Sequence, residues 1–143
     1  MIALDTNVLV YAHRAETALH EPAYERLRTL AEGSEPFAIP LFVLGEFVRV
    51  VTHARAFKPP TPLAVALEYL ERVLGSPSAR LLTPSPSFPG LFAEACQEGA
   101  AVGNLAFDAQ LVAVCREHGV SELLTEDRDF SRFPGIVPVR VEA

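Results

Sequence analysis

Basic charge is what this chain most lacks. Against 18 aspartates and glutamates it carries 12 lysines and arginines, a formal net charge of −6, and only one of the 12, Lys58, is a lysine. A protein that grips nucleic acid through bulk electrostatics usually presents a basic domain or stripe, so the balance argues against that mode and leaves such contact to local arginines. Cysteine is as scarce: Cys96 and Cys115 lie 19 positions apart in apolar, helix-like settings, which reads as two buried free thiols rather than a disulfide or a metal pair. Apolar runs such as Leu41 to Leu44 and Leu111 to Cys115 fall far short of the ~20 residues that a membrane span needs. The first residues show neither the basic nor the apolar part of a signal peptide, and a cytoplasmic location is the expectation. With 8 glycines, 12 prolines, 50% hydrophobic and 21% charged residues, disorder, collagen and low complexity are excluded. A length of 143 residues suits one globular domain, 1–143.

What is present alternates between short apolar runs and helical patterns. Ile2 to Leu4 reads as a strand, and Asp5-Thr6-Asn7 supplies helix-start residues before Val8 to Ala12. His20 to Ala31 has helical spacing and ends at Gly33; Phe37 to Ile39 is a second strand, and Pro40 is placed to open a helix over Leu41 to Ala54. The Lys58 to Pro62 connector precedes a helix from Pro62 to Leu74, in which Leu63, Leu67, Leu70 and Leu74 are expected to share a core face before any role in a dimer interface. Arg80 to Leu82 is a third strand, Gly90 to Gln97 a helix, and Ala106 to His118 the clearest helix, terminated by Gly119. Glu122 to Leu124 follows as a strand, Asp127 to Arg132 as a helical turn, and Ile136 to Val141 as a strand whose Pro138 suits an edge. Strands separated by helices predict an α/β fold: a mostly parallel central sheet of four to five short strands with helices on both faces.

Aspartate is rarer than glutamate, four against 14, and the four are Asp5, Asp108, Asp127 and Asp129. Asp5 and Asp127 each follow a strand, so in a parallel sheet their carboxylates leave from one edge, where ligands collect. Asp108 lies in the first turn of a helix that starts near that edge, and Glu46 joins if its helix packs over it. Each also has a plainer reading. Asp5 is a candidate helix cap, Glu46 a partner for Arg49 at i+3, Asp108 a residue favoured by the helix dipole, and Asp127 a cap with Glu126 and Asp129 as competing acids. Apolar neighbours leave little room for a solvated acid at Glu46. Four carboxylates gathered at ~6 Å would repel by on the order of 15 kcal/mol at an effective dielectric of ~20, which no domain stable by ~5 to 15 kcal/mol can carry. Such a cluster needs protons, arginines or a divalent ion, and an all-oxygen set suits Mg²⁺ or Mn²⁺ and phosphoryl chemistry. His13, His20, His53 and His118 show no ligand spacing and are expected to be structural. Arg14, Arg49, Arg55 and Arg128 lie near the motifs and are candidate RNA contacts.

LDTNVLV at the amino end, Glu46 in VLGEFVRV, NLAFDA over Asn104 to Ala109 followed by QLVA, and LLTEDRDFSRFPG together resemble the PIN domain family. The likeness is greatest to the VapC toxins of type II toxin-antitoxin pairs, and it runs from Ile2 to Val141. It implies a metal-dependent endoribonuclease that cuts RNA phosphodiesters to leave a 5′-phosphate and a 3′-hydroxyl. Asp5, Glu46, Asp108 and Asp127 would hold Mg²⁺ or Mn²⁺, supported by Thr6, Asn7 and Thr125, with Asn104 at the pocket rim and Asp129 a structural acid ahead of Phe130. It further implies a homodimer, a small VapB-like antitoxin, and structured targets such as tRNA or rRNA. Two other classes stay open. One is a PIN-like module that binds RNA or protein without cutting. The other is a phosphatase with Asp5 as the phosphorylated acid, although Asn7 stands where such enzymes want a second acid and the only lysine sits in a proline connector.

Overall fold

The computed structural model describes residues 1–142. Its elements in chain order are β1 (Ile2–Leu4), α1 (Thr6–His13), α2 (His20–Glu32), β2 (Phe37–Pro40), α3 (Phe42–Val51), α4 (Leu63–Leu74), β3 (Ala79–Leu82), α5 (Phe88–Gly99), α6 (Leu105–Glu117), β4 (Glu122–Leu124), a 3-10 turn (Arg128–Arg132) and β5 (Val137–Val139). The five strands form one parallel sheet in the order β3-β2-β1-β4-β5. The expected α/β architecture is therefore present, and Pro138 does lie in an edge strand.

Side chains alternate across a strand, and here the alternation divides the core in two. Leu4, Phe37, Ile39 and Leu124 face a cluster with Val8, Leu9, Leu27, Val43, Phe47, Leu70 and Val73 from the first four helices. Ala3, Ala38 and Leu123 face the other side, against Ala95, Val112, Cys115, Phe130 and Phe133 from α5, α6, the 3-10 turn and the residue just after it. The three central strands β1, β2 and β4 are covered on both faces, which explains their apolar runs, whereas the edge strands leave Leu81 and Val137 exposed. Gly119, at φ 69°, takes the left-handed conformation that ends α6. At the end of α5 the backbone of Gly99 lies against the Phe133 ring, where a Cβ would stand 2.8 Å from Cδ1.

Two sequence readings need correction. Pro40 does not open α3; it is the last, buried residue of β2 and pairs with Leu82. Pairing runs past it because the Leu41 amide donates to the Leu82 carbonyl at 2.9 Å. Nor do Leu63, Leu67, Leu70 and Leu74 share one core face. The buried stripe of α4 is Ala66, Leu70 and Val73, at i, i+4 and i+7, which leaves Leu63 58% and Leu67 51% exposed.

The chain crosses from one half of the sheet to the other between β1 and β4. The first two crossovers, through α1–α2 and α3–α4, build outward from β1 to β2 and β3; the third, through α5–α6, returns to the far side of β1. That reversal opens a crevice beyond the carboxyl ends of β1 and β4. Leu4 is in register with Leu124, so the next residues, Asp5 and Thr125, emerge side by side at the crevice.

Candidate metal and active site

Asp5 caps α1 and accepts the Thr6 amide on Oδ1 at 2.7 Å. Its other oxygen, Oδ2, accepts the Thr125 hydroxyl at 2.7 Å. The same hydroxyl oxygen accepts the Asp127 amide at 3.0 Å, so one threonine links the two strand-end acids. Asp127 in turn caps the 3-10 turn, its Oδ1 accepting the Asp129 amide at 2.9 Å. Both plain cap readings are thus correct, and they do not compete with the functional one: capping fixes the direction of each carboxylate.

Asp5, Glu46, Asp108 and Asp127 line one cavity of about 710 Å³, and Thr6, Asn7 and Asn104 line it with them. The topological argument brought three of these acids together and left Glu46 conditional; α3, which begins just beyond the end of β2, delivers it. The expectation that Glu46 lacks room for solvent is overturned, since it is exposed and its neighbour Gly45 opens the cavity wall. Arg49 lines the cavity too, yet no ion pair joins it to Glu46 among the described residues. Asp129 is closer to the centre than its reading as a structural acid allowed. Single carboxylate oxygens of Asp108, Asp127 and Asp129 lie within 4.8 Å of one another. The two-residue spacing of Asp127 and Asp129 around a tight turn was the signal for this, because it places both acids on one side of the loop.

Burial pushes the Asp5 carboxyl up to about 6; its hydrogen bonds to Thr125 and Thr6 oppose the rise, while Glu46 and Asp127 add to it. Asp108 is pushed up to about 7, first by desolvation and then by the charges of Asp127, Asp5, Asp129 and Glu46. Among the described residues none of these acids has an ion-pair partner. The hydroxyl oxygen of Thr6, buried beside them, has no hydrogen-bond partner. An all-oxygen set with uncompensated charge fits a hard divalent cation, and neither thiol, Cys96 nor Cys115, lines the cavity.

The remaining candidates divide by their partners. Arg14 is engaged by Glu16, Thr61 and the Pro59 carbonyl and lies over the Phe57 ring, so it anchors the proline connector instead of waiting for RNA. Arg55 and Arg128 are exposed. The histidines have structural partners: His13 Nε2 meets the Thr61 hydroxyl at 3.0 Å, His20 Nδ1 donates to the Tyr11 carbonyl, His53 Nδ1 accepts the Arg55 amide, and His118 Nε2 donates to the Thr83 carbonyl.

Comparison with known proteins accords with this geometry. Residues 2–136 match the family model described as the PIN domain. The chain is 34% identical over 140 residues to Ribonuclease VapC31 of Mycobacterium tuberculosis, covering 98% of each chain. It is 38% identical over 133 residues to the VapC ribonuclease Mb2897 of Mycobacterium bovis, covering 93% of this chain and 90% of that one. Among solved structures, the Rickettsia felis VapBC2 complex, bound to a DNA fragment from its promoter, superposes with a TM-score of 0.70 at 22% identity and 98% coverage of both chains. Mycobacterium tuberculosis VapC20, described as a toxin cleaving the sarcin-ricin loop, superposes with a TM-score of 0.69 at 20% identity, covering 95% of this chain and 98% of that one.

Proposed function

Because the chain belongs to the PIN domain family, among its VapC-type ribonucleases, we propose that it is the endoribonuclease toxin of a toxin-antitoxin pair, acting in the cytoplasm. The observation that carries the site assignment is the meeting of Asp5, Glu46, Asp108 and Asp127 on one cavity at the reversal of the sheet. These four, joined by Asp129, would hold Mg²⁺ or Mn²⁺. The ion would supply the positive charge that polarises a phosphodiester, acidifies an attacking water and neutralises the leaving group.

The chain's own contribution is orientation. Thr125 and the Thr6 amide hold the two Asp5 oxygens apart and immobile. The amides of Asp127 and Asp129 close a short relay from Thr125 across the turn, which fixes Asp127 without a further side chain. Preset carboxylates need no reordering when charge arrives, and mispositioning by a bond length is costly in such sites. A single domain over 1–143, a VapB-like antitoxin and a homodimer complete the proposal; the exposed Leu63, Val65 and Leu67 of α4 support a surface for a protein partner. The RNA is a structured one of the tRNA or rRNA class.

The test is cleavage of total cellular RNA by the purified protein with Mg²⁺ or Mn²⁺, followed by mapping of the new 5′ ends. Discrete cuts with 5′-phosphates are expected. Asp5→Asn should remove them while the circular dichroism spectrum is unchanged; normal cutting by that variant would end the site assignment. Light scattering of the wild-type chain checks the homodimer.

A further inference from the structure

The carboxylate cavity has an apolar wall that neither the acids nor an ion requires. Phe107, the residue before Asp108, lines it and is 61% exposed. Among the described residues no aromatic ring packs on it. Phe42, Leu105 and Leu111 also line the cavity. A bare ring beside a cluster of charge has no benefit for folding, since exposed apolar area forfeits about 25 cal/mol per Å². Arg49 is equally without a partner: it is the one basic residue lining the cavity and, among the described residues, forms no ion pair there.

A ring and a guanidinium on the walls of one cavity match the two halves of a nucleotide. Phosphate accepts paired N–H donors from arginine, and every base has a flat apolar face that stacks on an aromatic ring. In a duplex that face is already covered by its neighbours, so only an unpaired nucleotide offers it. Resting on the nuclease reading, we propose that Phe107 and Arg49 form a nucleotide subsite: Phe107 stacks on an unpaired base next to the scissile linkage, and Arg49 holds a neighbouring phosphate. The subsite selects single-stranded loops or bulges within a structured RNA. It also gives the acidic surface a local attachment that does not depend on net charge.

The test is binding of fluorescein-labelled RNA decamers of random sequence, single-stranded or annealed to their complements, followed by anisotropy in the full-length Asp5→Asn protein, where cutting is blocked. Phe107→Ala should raise the single-strand Kd about ten-fold and leave the duplex Kd unchanged, while Phe107→Tyr stays within about two-fold of the parent. Arg49→Ala should weaken both forms and lower the slope of log Kd against log salt by about one. Because Phe107 is exposed, its removal leaves the fold intact, which circular dichroism checks. Unchanged single-strand binding by Phe107→Ala overturns the proposal and assigns the ring to a protein interface; equal loss on both RNA forms overturns the stacking role. If the wild-type chain cuts no RNA while Phe107 still governs single-strand binding, the nuclease reading fails and the subsite stands.

Discussion

The clustered carboxylates should make the ion-free protein lose stability as the pH rises through neutrality. Asp5 and Asp108 titrate near 3.8 when unfolded, but in the fold their carboxyls are pushed up to about 6 and about 7. Between those values the folded state binds more protons than the unfolded state, so stability falls with rising pH. The contribution is whole below 3.8 and is lost on passing through about 6 and then about 7. For Asp5 the rise is worth about 3 kcal/mol at about 1.36 kcal/mol per pH unit. Asp108 is half open to solvent, and screening cuts its share to about 2 kcal/mol. About half of that total is still to be lost above pH 5, so at about 3 °C per kcal/mol for a chain of this size the melting temperature in EDTA should fall by roughly 6 to 10 °C between pH 5 and pH 8. Mn²⁺ binds the deprotonated acids, so its stabilising effect should be small at pH 5 and largest at pH 8. Asp108→Asn should raise the ion-free melting temperature at pH 7.5 while removing cleavage. Scanning calorimetry across that pH range, with and without Mn²⁺, decides the matter. A flat ion-free profile, or a Mn²⁺ effect independent of pH, would refute the electrostatic account of the site.

Two substitutions probe the supports. Thr125→Val keeps the shape and removes the hydroxyl that links Asp5 to the Asp127 amide; Mn²⁺ affinity by titration calorimetry and cleavage rate should each fall about 10- to 100-fold. Thr125→Ser should restore both, whereas a purely packing role would leave valine near wild type and make serine the poorer of the two. Gly99→Ala drives a methyl into the buried Phe133 ring and should cost about 1 to 3 kcal/mol in urea unfolding, with catalysis per folded molecule unchanged.

Much of this architecture was legible in the sequence because strands buried on both faces must be apolar throughout, and polar residues directly after them mark the edge. Asp5 and Asp127 stand out on that logic, and the register of Leu4 with Leu124 is its structural form. Glu46 reaches the cavity, but not as the crowded acid that the apolar content of α3 suggests, because the helix turns that residue toward open space. The misreading of α4 has the same origin. Leucine at Leu63 and Leu67 carries the same hydropathy as Leu70, and no pattern of residue types alone decides which of several apolar stripes meets the sheet. Asp129, Arg49 and Phe107 were under-read because their roles depend on what lies across a cavity rather than on neighbours in the chain.

The Thr125 to Asp5 hydrogen bond joins residues 120 positions apart, and this has a consequence for the birth of the protein. At about 5 to 20 residues per second, the first half of the sheet emerges from the ribosome well before β4 does. Until then Asp5 has neither its hydroxyl clamp nor Asp127 as a companion. On the proposed site assignment the acidic set is complete only once the last strands fold, so a nascent chain of this design would become able to cut no earlier than it offers the finished surface that an antitoxin would seize.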